Sequence, residues 1–342
     1  MHIVSLRPAL ASPERIGATV DWTAKATDTN PGPLTFQFNV APPKGAFSTV
    51  KQFNLGALSG GTWKSLVFAW ALTATNGVYR VQVVATDFTS GESDSKTVSF
   101  KVTSPVTGVN PVVQETQNPL VALFTAPPCT SGSAMRVSFQ PQSGSVPATT
   151  TNWAACQAPG AMTFEIAGMY PSTAYNLYSQ VSTGSNTVNG PTVSFTTGSL
   201  PASVTFPTFT AGIPDSAGDP NRVLFYGPWD ADGKTGYPDV ATDLSGNIVW
   251  YNSPNDPAHL TMLVRPLPTG FLAIQFGPTW NPAVQQYQVL RQYAWAGNIV
   301  RETNTGNCAA ATDGPGEPGR GALQHDSVAA ASGGGLYRHF SP

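Results

Sequence analysis

"YRVQVVATD", residues 79–87, sets Tyr79, Val81 and Val83 on one side of an extended chain and Arg80 and Gln82 on the other. Side chains of a β-strand point alternately to opposite faces, so this pattern describes a strand with one buried face. The same grammar runs outward in both directions. Val20, Trp22 and Ala24 are in phase in "ATVDWTAKATD" (18–28), and Val98, Phe100 and Val102 in "SDSKTVSFKVTSPVTG" (93–108). No window of a dozen residues free of Pro and Gly carries apolar residues at i, i+3, i+4 and i+7, so helices are not expected. Short strands divided by turn residues indicate a β-sandwich over residues 1–104, closed by a Pro/Gly/Ser linker near 104–111.

A second stretch of similar grammar holds "AMRVSFQP" (134–141), "AMTFEIAGMYPSTAYNLYSQVST" (161–183) and "GPTVSFTTG" (190–198), which predicts another sandwich over 105–200. It resembles a fibronectin type III domain in "MYPSTAYNLYSQV" and in the closing "VSFTTG". The resemblance implies that Tyr175 is the corner tyrosine, whose hydroxyl ties a loop to nearby backbone, and that this domain carries no chemistry.

Beyond about residue 201 the repeat lengthens. "DVATDLSGNIVWYN" (239–252) and "RQYAWAGNIVRETN" (291–304) share Gly-Asn-Ile-Val at Gly246 and Gly297, 51 residues apart. "LVRPLPTGFLAIQFG" (263–277) follows the first kernel and "DSVAAASGGGLYRHF" (326–340) the second, so Phe271 and Leu336 correspond. A period of roughly 40–50 residues built from hairpins is that of propeller blades. The expected fold class is therefore all-β: two tandem Ig-like or fibronectin-like β-sandwiches, then an incomplete β-propeller of two to three blades over 201–342.

Composition narrows the partners. Charged residues are 11% of the chain, against roughly 25% in ordinary soluble domains, and the net charge is −2, with no basic run to neutralise a row of phosphates. Nucleic acid is not expected. The longest apolar stretches, such as "SLVFAWALTA" (65–74), are too short for a membrane helix. No signal peptide is visible at the start, which is compatible with a missing leader or with a cytosolic protein. Cysteines stand at 129, 156 and 308. Cys129 and Cys156 flank one strand-rich segment and are either a disulfide, as in an exported chain, or two small buried thiols.

The chemistry-bearing residues are few. His325 precedes Asp326 in "GRGALQHDSV", just after the Gly/Pro-rich insert 308–321. It is either a site residue or a strand-entrance histidine bonded to backbone. His259 stands near the equivalent place in the preceding unit and reads as structural. His339 follows Arg338 within a strand, so the two side chains diverge. Asp230, Asp232 and Asp239 in "DADGKTGYPD" resemble a calcium loop, although Gly233 breaks the spacing, no Glu closes it, and Asp-Gly makes a turn without metal. Asp28, Asp87 and Asp94 near the loops of the first domain read as turn residues, with calcium the alternative. There is no Gly-x-Ser-x-Gly elbow and no dinucleotide or phosphate loop, so no cofactor is implied.

The order of "ATDLSGNIVWY", "RPLPTGFLAI", the second Gly-Asn-Ile-Val turn and an insert leading into "QHD" resembles the start of the six-bladed propeller of aryl-sulfate sulfotransferases. The resemblance covers about 140 residues. It implies an exported protein, extracellular or periplasmic, that moves a sulfuryl group between phenols through a transiently sulfated histidine, without a nucleotide sulfate. Aryl sulfate and a phenol acceptor would be its partners. A His-Asp step enters the innermost strand of an early blade in this family, which His325 and Asp326 match. Gln324 departs from the two consecutive histidines often found there. A full propeller needs roughly 300 residues at about 50 per blade, so the expectation is a fragment that is inactive alone. The competing expectation is a non-catalytic surface or filament protein of stacked β-domains, which self-associates through open β edges.

Overall fold

The computed structural model describes residues 1–30, 32–144, 146–210, 223–227, 237–252, 260–276 and 289–304. Every regular element among them is a β-strand, arranged in five sheets, none of which closes on itself.

Alternation fixes the first core. In the Thr19–Thr27 strand Val20, Trp22, Ala24 and Ala26 are fully buried, while Asp21 and Lys25 between them are exposed. Tyr79, Val81 and Val83 face them from the Gly77–Asp87 strand of another sheet, and Phe100 from Ser93–Thr103. Trp22 meets Phe100 edge to face with ring centroids 5.6 Å apart. Two layers thus press their apolar faces together, the arrangement that removes the alternating face from water.

A second core lies between Ala122–Ala126 with Met162–Ile166 on one side and Ala134–Pro141 with Ala174–Ser182 on the other. Cys129 and Cys156 stand at disulfide-bonding distance beside it, with Cα atoms 5.5 Å apart. The Tyr175 hydroxyl accepts the Tyr170 amide at 2.8 Å, tying the corner before its strand.

Two antiparallel meanders build the remainder. One is Leu224–Tyr226, Asp239–Thr242 and Ile248–Asn252; the other is Leu260–Leu267, Gly270–Phe276, Val289–Tyr293 and Ile299–Asn304. Their facing sides share an aromatic core in which Trp250 meets Phe271 at 4.9 Å and Trp295 at 5.7 Å, both edge to face. The Trp250 indole N–H donates to the Trp295 carbonyl at 2.8 Å, which satisfies the one polar atom that ring buries.

Two joints were not foreseen from the sequence. Leu120, Val121, Ala122 and Leu123 are consecutive, yet each belongs to a different one of four hydrophobic cores. This run is where the units meet. The second joint is a parallel pairing between Ile299–Asn304 and Ser48–Leu55, in register at Glu302 and Lys51, which makes one nine-stranded sheet from strands of the first and last units. The Lys51 ammonium lies 3.2 Å from Glu302 Oε1, and the Arg291 Nε–H donates to Glu302 Oε2 at 2.6 Å. Burial alone would raise the Glu302 pKa, but the two cations hold it below the ordinary value.

Candidate functional site

The two Gly-Asn-Ile-Val hairpins are built alike. In the first, the Asp243 amide donates to the Asn247 carbonyl at 3.0 Å and the Gly246 amide to the Asp243 carbonyl at 3.1 Å; in the second, Ala294 donates to Asn298 at 2.8 Å and Gly297 to Ala294 at 2.9 Å. Gly246 and Gly297 have φ of 88° and 89°, the left-handed region that a side chain at that place of the turn would strain. A register shift accompanies each pair, at Ala241/Thr242 and at Gln292/Tyr293.

They differ in what satisfies the turn amides. Asp243 Oδ1 accepts the Ser245 and Asn247 amides, each at 2.9 Å, and Oδ2 accepts the Asn247 side chain at 2.8 Å. The second turn has Ala294 in that place and no carboxylate of its own. Glu165, from the Met162–Ile166 strand of another unit, fills the role: its Oε2 accepts the Ala296 amide, the counterpart of Ser245, at 3.0 Å. The Trp295 amide also donates to it. Burial of its carboxyl pushes the Glu165 pKa up to about 7, and those two amides only partly counter it. Oε1 is buried with no hydrogen-bond partner among the described residues.

Two further bonds dock the same unit onto the first meander. The Tyr170 hydroxyl donates to Asp243 Oδ2 at 3.0 Å, and the Asn118 side-chain amide donates to the Tyr251 carbonyl at 2.7 Å. Burial, and then Asp243, raise the Tyr170 pKa to about 12, so it remains a donor at every ordinary pH.

Among the residues singled out from sequence, His325 with Asp326, His259, His339, Asp230, Asp232 and Cys308 lie outside the described residues. Asp239 opens its strand opposite Asn252 and is buried, which pushes its pKa up to about 7. Asp87 accepts the Thr89 and Ser90 amides, the Ser90 hydroxyl and the Asn30 side chain, and Asp94 accepts the Ile3 amide. These bonds lower both pKa values, as expected of carboxylates that shape turns. Asp28 contacts the Met1 amine at 3.6 Å. Among the described residues no three His, Cys, Asp or Glu side chains converge as a metal site would require, and no helix is long and apolar enough to cross a membrane.

The described residues therefore hold a frame, with the strand directly after His259, Leu260–Leu267, as the first of its meander. His259 comes 13 residues after Gly246; His325 comes 28 after Gly297, or 14 once the 14-residue insert 308–321 is set aside. No family model matches the chain, and no curated protein matches it.

Proposed function

We propose that residues 201–342 are blades of a β-propeller of the aryl-sulfate sulfotransferase type. In this reading they come after an Ig-like sandwich (1–104) and a fibronectin type III-like sandwich (105–200) in an exported protein. The observation that carries the reading is the pair of successive antiparallel meanders with matching turn hydrogen bonds, face to face over a shared aromatic core. Blades are such meanders, and they stack in this manner because neither can bury its faces alone. The cysteine pair at bonding distance supports an oxidising compartment.

In this reading His325 enters the innermost strand of the next blade and faces the central funnel. The reaction breaks the S–O bond of an aryl sulfate while a histidine nitrogen forms an N–S bond, and the departing phenolate takes a proton. A phenol acceptor then gives up its proton to a base, and its oxygen takes the sulfuryl group as the N–S bond breaks. Dividing one hard transfer into two easier ones is what a nucleophile supplies. A funnel histidine such as His325 stabilises the sulfuryl oxygens or handles the phenol proton.

The competing reading, a non-catalytic stack joined to other copies through free β edges, is weakened by the Ile299–Asn304 edge, which is already paired within the chain. The two readings part in one assay on the protein expressed from its whole reading frame. With p-nitrophenyl sulfate and phenol, we expect p-nitrophenol release with matching phenyl sulfate formation, reduced about a hundredfold or more in His325→Ala, the usual scale of one acid–base or oxyanion group. Absence of transfer contradicts the enzyme, and undiminished transfer in His325→Ala removes this residue from it.

A further inference from the structure

The outer face of the second unit carries a row of side chains that neither the fold nor the proposed chemistry uses. Arg136, Gln180 and Asn189 are cross-strand neighbours on three adjacent strands. The Arg136 Nε–H donates to Gln180 Oε1 at 2.7 Å, and the Gln180 amide donates to Asn189 Oδ1 at 3.0 Å, so the row is held straight. Three strands span about 10 Å. Tyr178, two residues from Gln180 on the same face, is half-buried beside it. Trp153 is 41% exposed, and the Arg136 guanidinium lies over its ring, 4.4 Å from the centroid. The half-buried arginine thus covers one face of the ring.

We propose that this face binds an acidic polysaccharide, with Trp153 as the stacking platform and the row Arg136–Gln180–Asn189 as its polar track. An exposed indole held by a guanidinium offers a flat surface to the C–H face of a sugar ring. Amide side chains offer donors and acceptors side by side, as hydroxyl groups require. Arg136 has no carboxylate partner among the described residues. Its charge is thus available to a uronic acid carboxylate, for which the planar guanidinium is suited. A peptide partner would want a sheet edge or apolar pockets, and an anionic membrane several clustered cations; the row has neither.

The test is isothermal titration of the full chain with oligogalacturonate, with neutral cello-oligosaccharide as the comparison. We expect saturable binding of the acidic sugar that weakens with salt, and at least about tenfold weaker binding in Trp153→Ala and in Arg136→Met, equivalent to about 1.4 kcal/mol. Gln180→Ala, which leaves the indole in place, serves as a second variant and weakens binding severalfold. Circular dichroism and unchanged melting establish that each variant is folded. Absence of binding to oligogalacturonate, equal binding of the neutral sugar, or undiminished binding by the folded variants would overturn the proposal.

Discussion

Glu165 holds two backbone amides of a hairpin that belongs to another unit, and its other oxygen bonds to nothing among the described residues. Truncating it, Glu165→Ala, leaves the Trp295 and Ala296 amides buried without an acceptor, a loss of about 1–3 kcal/mol, read as a lower urea midpoint. The first hairpin suggests the cure. Ala294→Asp places a carboxylate where Asp243 stands in that turn, so it should restore part of the midpoint in the Glu165→Ala background. In the unaltered chain the same substitution should destabilise, because two carboxylates would share one dry site. The Glu165 pKa, ordinarily 4.5, is about 7 in the fold. An acid whose folded pKa is raised keeps its proton when folded and releases it when unfolded, so stability falls as pH rises from 4.5 to 7 and is level above. Asp239, moved from 3.8 to about 7 by burial, acts in the same direction. Denaturation midpoints should decline across that window, and Glu165→Gln should flatten the decline.

At the scale of the element, the hairpins show what a sequence can and cannot disclose. Val20, Trp22 and Ala24 were legible because one face of their strand is wet, and Gly246 and Gly297 because their turns need a left-handed residue. The run Leu120–Leu123 was not legible, since it leads from a turn into the Ala122–Ala126 strand, which is buried on both faces and has no alternation to read. Glu165 in "MTFEIAG" alternates with Met162, Phe164 and Ile166 as a solvent-facing residue would. Only the packing of another unit against that face covers its carboxyl. The joint of Lys51 with Glu302 rests on one register pair between distant segments, which no local pattern announces. Gly270 is required for a reason no local pattern announces: its φ is 147°, and a Cβ there would run into the Tyr293 carbonyl. Gly270→Ala should therefore lower stability by about 2 kcal/mol or more, because backbone has to move. A melting curve beside that of an alanine substitution at the open Gly184 turn, where only φ is strained and nothing is struck, separates the clash from the strain.

Across the whole molecule, position matters more than any one contact. The second unit touches both hairpins through Tyr170, Asn118 and Glu165, while a strand of the first unit covers the Ile299–Asn304 edge of the second meander. The opposite edge of that meander is Leu260–Leu267, which begins directly after His259; in the proposed reading His325 holds the corresponding place of the next blade. The all-β class was readable because alternation and turn glycines are local signals, whereas His259 and His325 are placed by sequence order alone and have to be reached by chemistry. Sulfuryl transfer through a histidine is read out by intact-protein mass spectrometry of the protein expressed from its whole reading frame, after exposure to p-nitrophenyl sulfate without acceptor. We predict one added sulfuryl group, mapped by peptide analysis to a histidine and discharged when phenol is added. Phenyl sulfate formation that proceeds with no such adduct, or an adduct that phenol does not discharge, would rule out transfer through a histidine.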